Sequence, residues 1–210
     1  MNYLVVFGGY LAKKEWVDVW ANNLSKLKEF HSGWKVVAYE GPNDSLYRNL
    51  EIKVSTLANE INSSKELGII KIVCHSSGAY PAYEFISYLD DRILQVTDLI
   101  ILDSDYGHGK TKLNPTRFSK LRLLKGVCAF HTKNNRTVWS SNTSGILQIE
   151  KILGKAIRVI KHDASNAGCN TNAIWSLHDS MIVKKVSNPS TYDLKNDYTT
   201  DIDNLEHYWL

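Results

Sequence analysis

The stretch Lys71–Tyr80, KIVCHSSGAY, runs apolar strand formers directly into an imidazole and two hydroxyls. A serine in such a place has two chemical uses. It can cap the helix that follows, its hydroxyl accepting a hydrogen bond from a free backbone N–H. Alternatively it can be a nucleophile, presented on a strained strand-to-helix bend to a substrate carbonyl. The second use makes a steric demand. Backbone neighbours crowd the bend, so the residues two before and two after the serine must be small. Cys74 and Gly78 meet this demand for Ser76, and Ala79 keeps the next position small; Ser77 lacks matching flanks. Cysteine stands where glycine is usual. The adjoining His75 suits a pocket or sheet contact better than a base, because neighbouring side chains diverge at a sharp turn. On the pentapeptide alone, cap and nucleophile both stay open.

The surrounding chain must hold such a bend. Six short apolar runs stand out: YLVVF (3–7), WKVVAY (34–39), IIKIVC (69–74), DLIILD (98–103), GVCAFH (126–131) and AIRVIK (156–161). Each is rich in Val and Ile, has strand length, and ends near Gly, Pro, Asn or Asp. Helical spacing lies between them. Trp16, Val19, Trp20, Leu24 and Leu27 form one face; Leu57 and Ile61 with the following SSKELG form another, ending at Gly68. Ala79, Ala82, Tyr83 and Ile86 form a third, and Ile146, Ile149, Ile152 and Leu153 a fourth. Strand and helix alternating predict parallel strands joined by crossovers. Continuous apolar runs predict a sheet covered on both faces. The expected fold class is α/β, a three-layer α/β/α sandwich on a mostly parallel sheet of about six strands. One domain over 1–210, with a polar tail at 187–210 and no large cap domain, is the simplest account.

In open parallel sheets, ligands bind beyond the carboxyl ends of the strands. Here the first run leads into Gly8-Gly9-Tyr10, the third into His75-Ser76-Ser77-Gly78, and the fourth into Asp103, Asp105 and His108. The fifth leads into Asn134 and Asn135, and the sixth into Asp163 and then His178. Reactive groups thus gather at one predicted edge. With VVFGGY, IVCHSSGA and the late LHDSM in these places, the chain resembles the α/β-hydrolase superfamily, serine esterases and lipases, over about residues 3 to 185. The resemblance implies an oxyanion hole made by the N–H of Gly9 or Tyr10 and that of Ser77. It also implies a base late in the chain, where His178 fits by order; His108, His131 and His162 are weaker rivals.

The third member of a triad is less plain. The family's usual acid follows the strand before the last, and this sequence has Asn134 and Asn135 there. An amide can orient an imidazole but cannot stabilise its cation, and that exchange costs about 10,000-fold in turnover in one serine protease. Some lipases carry the acid one strand earlier. Asp103 fits that place, with Asp105 two residues on. Asp163 is the next alternative and Asn135 the last; Asp179 adjoins His178 and cannot readily turn back onto it.

A net charge of +3 and scattered Lys and Arg speak against nucleic-acid binding. The cluster Lys110, Lys112, Arg117, Lys120 and Arg122 can face an anionic substrate or simply solvate a helix. Tyr10, Tyr80 and Trp175 are candidates to line an acyl pocket, Trp175 equally a core residue. Three cysteines, Cys74, Cys128 and Cys169, make no disulfide framework; the first two lie in apolar runs as buried thiols. No metal-ligand spacing is present and no cofactor is expected. No apolar stretch reaches the ~18 residues of a membrane span, and the first ten residues do not read as a signal peptide. The expectation is a cytoplasmic protein acting on a small-molecule acyl substrate. Two rivals remain. One is a catalytically weak or inactive binding relative, motivated by the Asn pair. The other is a nucleotide-binding domain, which fails because FGGYLAKK lacks the G-x-G-x-x-G spacing and no P-loop appears.

Overall fold

The computed structural model describes residues 1–26, 30, 33–42, 47–66, 68–102, 119–132, 149, 151–154 and 157–162, with the backbone alone at 47–49, 130–132 and 157–162. Each apolar run becomes a strand: β1 (Asn2–Phe7), β2 (Trp34–Tyr39), β3 (Ile70–His75), β4 (Thr97–Leu102), β5 (Gly126–Thr132) and β6 (Ile157–His162). They form one sheet in the order β2-β1-β3-β4-β5-β6, and every neighbouring pair is parallel. The expected β3 shifts by one residue, so that it ends on His75 and Ser76 is the first residue beyond it.

Two apolar clusters cover the sheet, and strand alternation divides them. Tyr3, Val5 and Phe7 of β1 face one side, with Ile70, Ile72, Cys74, Leu99 and Ile101. Leu4 and Val6 face the other, with Val73, Ile100 and Leu102. Helices α2 (Tyr47–Asn62) and α3 (Ala79–Tyr88) cover the first side through Leu50, Val54, Leu57, Ala58, Tyr83 and Phe85. Helix α1 (Lys14–Leu24) covers the second through Val17, Trp20, Ala21 and Leu24. That is the three-layer sandwich read from the runs. Burying each such aliphatic side chain contributes roughly 1.5–3 kcal/mol, so the central strands, buried on both faces, anchor everything at their ends. Among the described residues no segment forms a cap over the sheet.

Two helices differ from expectation. The buried stripe of α1 is Val17, Trp20, Ala21, Leu24, with Trp16 and Val19 only half-buried; Leu27 lies outside the described residues. Helix α2 begins at Tyr47 and stops at Asn62, before SSKELG. The last turn tightens there: Ser63 N–H still donates to Asn59 C=O at 3.0 Å, alongside its own Oγ at 2.8 Å, but Ser64 N–H donates to Ile61 C=O at 3.0 Å, a 3-10-type bond, and Ser64 Oγ to Glu66 C=O at 3.0 Å. The Asn62 side chain holds the end in place, donating to Tyr88 C=O and accepting from Asp90 N–H. In the fourth predicted helix, residues 151–153 are helical, and Ile149 and Leu153 are buried on the α2 and α3 side.

Candidate active site

Chain order places the candidate groups. The chain steps from β1 to β2 on one side, then returns past β1 to β3 on the other. That reversal is the switch point at which open parallel sheets bind ligands, beyond the carboxyl ends of β1 and β3. Gly8-Gly9-Tyr10 leaves one of those ends and Ser76-Ser77-Gly78 the other.

His75 ends β3 in extended conformation, at φ −119° and ψ 137°. Ser76 then turns to φ 52°, the left-handed region that L-residues avoid. Holding a non-glycine residue there costs on the order of 1–2 kcal/mol, and such strain persists only where surroundings over-determine it. A single 3-10 turn, Ser76–Gly78, leads into α3. Neither the turn nor α3 has a side-chain hydrogen bond at its N-cap, and the N-cap of α3 is Gly78. The serines therefore do not serve as the cap that the pentapeptide also allowed. Ser77 is buried, and its Oγ has no hydrogen-bond partner among the described residues.

The small flanks have visible reasons. A Cβ on Gly78 would stand 2.4 Å from Gly8 O and 2.7 Å from Phe7 O, so the start of α3 rests on the β1 exit. Cys74 is fully buried in the core, its thiol 3.7 Å from Ile100 C=O, and burial pushes that thiol well above its usual pKa. Cys128 is likewise buried, and Cys169 lies outside the described residues. Ala79 has no exposed surface. Pro81, in the first turn of α3, sits where a missing N–H breaks no helical bond.

Gly9 meets the bend from the β1 side. A Cβ there would lie 2.7 Å from His75 Nδ1 and 3.2 Å from Ser76 Cβ. The buried His75 ring is thus a contact of the β1 turn, as its place beside the serine suggested. Tyr10 is 42% exposed, whereas Tyr80, in α3, is buried. Lys120 and Arg122 are engaged with the backbone: Lys120 Nζ donates to Leu89 C=O at 2.6 Å and Arg122 Nε to Ile152 C=O at 2.9 Å. Two of the five cations considered for an anionic substrate are therefore committed to structure.

Among the described residues the structure sets Gly9 against Ser76, with Tyr10 and Ser77 next to them in the chain. His178, Asp103, Asp163 and Asn135 lie outside the described residues, as do Asn134, Asp105, His108, Asp179, Lys110, Lys112, Arg117, Trp175 and the 187–210 tail. For His131 and His162 only the backbone is described. Two features had no mark in the sequence reading. One is Leu11, at φ 60°. The other is the Gly41-Pro42 pair packed behind the β1 turn, whose one available signal was its turn-forming composition.

No protein-family model matches this sequence, and no curated protein matches it. Among solved structures the chain is similar to lipase B of Aspergillus fumigatus, with a TM-score of 0.50 and 14% identity. That match covers 92% of this chain and 55% of the lipase, so the chain spans little more than half the lipase's length. It is also similar to a candidate hydrolase of the alpha/beta superfamily from Xanthomonas campestris pv. campestris, with a TM-score of 0.44 and 10% identity over 77% of this chain and 87% of that one. At such identities the likeness is one of fold. With its parallel sheet, two-sided helical cover and left-handed Ser76 at the switch point, the chain has an α/β-hydrolase-like fold.

Proposed function

We propose that this protein is a serine hydrolase that cleaves a carboxylic ester or thioester through an acyl-enzyme on Ser76. The observation that carries the reading is the φ of 52° at Ser76, directly beyond a central strand. Glycine would hold this left-handed angle without the steric cost a serine bears, and strain of this kind clusters at active sites.

In the proposed reaction His178 takes the Ser76 proton as Oγ attacks the substrate carbonyl. The N–H groups of Ser77 and of Gly9 or Tyr10 stabilise the oxyanion, a contribution of about 100- to 1000-fold per donor. Collapse expels the alcohol or thiol, which receives the proton from His178. Water, deprotonated by the same imidazole, then attacks the acyl-enzyme and restores Ser76. Asp103 is the first choice to orient His178, then Asp163, then Asn135. The substrate is a small acyl compound, and the setting is cytoplasmic. Among the described residues no helix is long and apolar enough to cross a membrane.

The test is labelling with a fluorophosphonate. Stoichiometric modification at Ser76, lost in Ser76→Ala and in His178→Ala, is the expected result. A folded protein that takes up no label refutes the enzyme and favours the second reading, a weak or inactive relative that binds a ligand or partner. The Asn134-Asn135 pair at the family's usual acid position motivates that reading. Hydrolysis of a short p-nitrophenyl ester by Asp103→Ala and Asp163→Ala assigns the acid; if neither slows, neither is the acid.

A further inference from the structure

The turn leaving β1 is fastened to the exit of β2. Gly8 N–H donates to Tyr39 C=O at 3.0 Å, Leu11 N–H to Pro42 C=O at 3.2 Å, and Gly41 N–H to Ala12 C=O at 2.8 Å. Inside the turn, Ala12 N–H donates to Gly9 C=O at 3.0 Å. These bonds hold Leu11 at φ 60° although its side chain is 56% exposed and gains little from packing. The left-handed angle costs about 1–2 kcal/mol for such a residue, so the local sequence alone would not choose this turn.

Gly41 is the tightest point of the fastening. A Cβ on it would stand 1.5 Å from Gly9 O and 2.7 Å from both Gly9 C and Ala12 N. Its φ lies outside the left-handed region, so glycine is required here for space and not for backbone angle. What it backs is one peptide plane, Gly9–Tyr10. In a trans peptide the C=O and the following N–H point in opposite directions, and no described peptide is cis. The Gly9 carbonyl points to Ala12 and Gly41, on the β2 side of β1. The Tyr10 N–H therefore points to the β3 side, where Ser76 stands and where a Cβ on Gly9 would lie 3.2 Å from Ser76 Cβ.

We infer that Gly41 is a positioning residue for acyl transfer: pressed against the Gly9 carbonyl, it aims the Tyr10 N–H, and not the Gly9 N–H, at the developing oxyanion. This rests on Ser76 being the nucleophile. It makes the β2 exit, some thirty residues from the turn, part of what sets the rate.

The fold supplies a control. A Cβ on Gly68 would stand 1.7 Å from Met1 O, an equally severe intrusion into backbone, at the opposite end of the strands from Ser76. Gly41→Ala and Gly68→Ala are compared with the wild type for melting temperature and for kcat and KM on a short p-nitrophenyl ester. Both variants are expected to melt lower. Gly41→Ala alone is expected to lose about 100-fold or more in kcat, with KM changed no more than about threefold, because the lost interaction belongs to the transition state. Gly41→Ala within about threefold of wild-type kcat, or Gly68→Ala losing as much, overturns the inference. A wild type that neither hydrolyses the ester nor takes up fluorophosphonate overturns the enzyme reading and this with it; an active wild type with an equally active Gly41→Ala overturns only the role of Gly41. Should Gly41→Ala fail to fold, the amide spectrum of ¹⁵N-labelled wild type decides, recorded before and after phosphonylation of Ser76. The Tyr10 amide proton is expected to move downfield as it bonds the phosphonyl oxygen; a larger shift at Gly9 overturns the inference.

Discussion

Replacing Gly78 by Ala puts one methyl group between the start of α3 and the carboxyl end of β1. That carbon would sit 2.4 Å from Gly8 O, 2.7 Å from Phe7 O and 3.0 Å from Gly8 C. All three are backbone atoms, so no flexible side chain can swing aside. Ordinary contact begins near 3.4 Å, and the bend and β1 must therefore separate by about 1 Å. Over-packing of this kind costs typically ~1–3 kcal/mol. In a chain of 210 residues each kcal/mol lowers the melting temperature by about 2–4 °C, which predicts a fall of roughly 2–12 °C. The same separation moves Ser76 relative to the β1 turn, and ~1 Å of misplacement can cost about 100-fold in rate. Thermal melting followed by circular dichroism measures the first effect, and the second-order rate of fluorophosphonate labelling the second. A Gly78→Ala protein that melts within about 1 °C of wild type and labels at the wild-type rate refutes the argument that this contact holds the bend.

Two further outcomes follow from other parts of the fold. Asp98 is buried at the start of β4, and burial holds its carboxyl above the ordinary carboxylate range although Lys125 Nζ lies 3.3 Å away. The folded state thus binds this proton more tightly than the unfolded chain. Its contribution is fully present below about pH 4 and is lost as pH rises toward the raised value. Asp98→Asn, which cannot ionise, is expected to flatten that decline in urea midpoints; an unchanged slope refutes it. At Leu11, Leu11→Gly relieves about 1–2 kcal/mol of left-handed strain against about 0.5–1 kcal/mol of added chain entropy, and is expected to be neutral or mildly stabilising. Leu11→Val, branched at Cβ, is expected to destabilise by about 1 kcal/mol or more, and urea denaturation of the pair checks both.

The strands were legible because burial writes itself locally. YLVVF, IIKIVC and DLIILD are apolar without alternation, and each became a strand covered on both faces. Ser76 was legible in part: small residues at 74 and 78 mark it as the serine that fits a crowded bend, but the choice against a helix cap came only with its φ of 52° and the uncapped start of α3. The α2 boundaries were not. A helical period cannot show that the ladder tightens to an i−3 bond at Ser64, nor that Asn62 is held by Tyr88 and Asp90.

By itself, then, the sequence determined the alternation of strand and helix, the parallel two-faced sheet and the one serine able to occupy a crowded bend. Tertiary structure decided what surrounds that serine. Strand order alone sets β1 between β2 and β3, and only this brings Gly9 against His75 and Ser76 on one side and against Gly41 on the other. Hydropathy and spacing record how each segment meets water and its own neighbours in the chain. Backbones dozens of residues apart that pass too close to admit a Cβ are recorded only as an unremarkable glycine, until packing shows what the missing side chain makes room for.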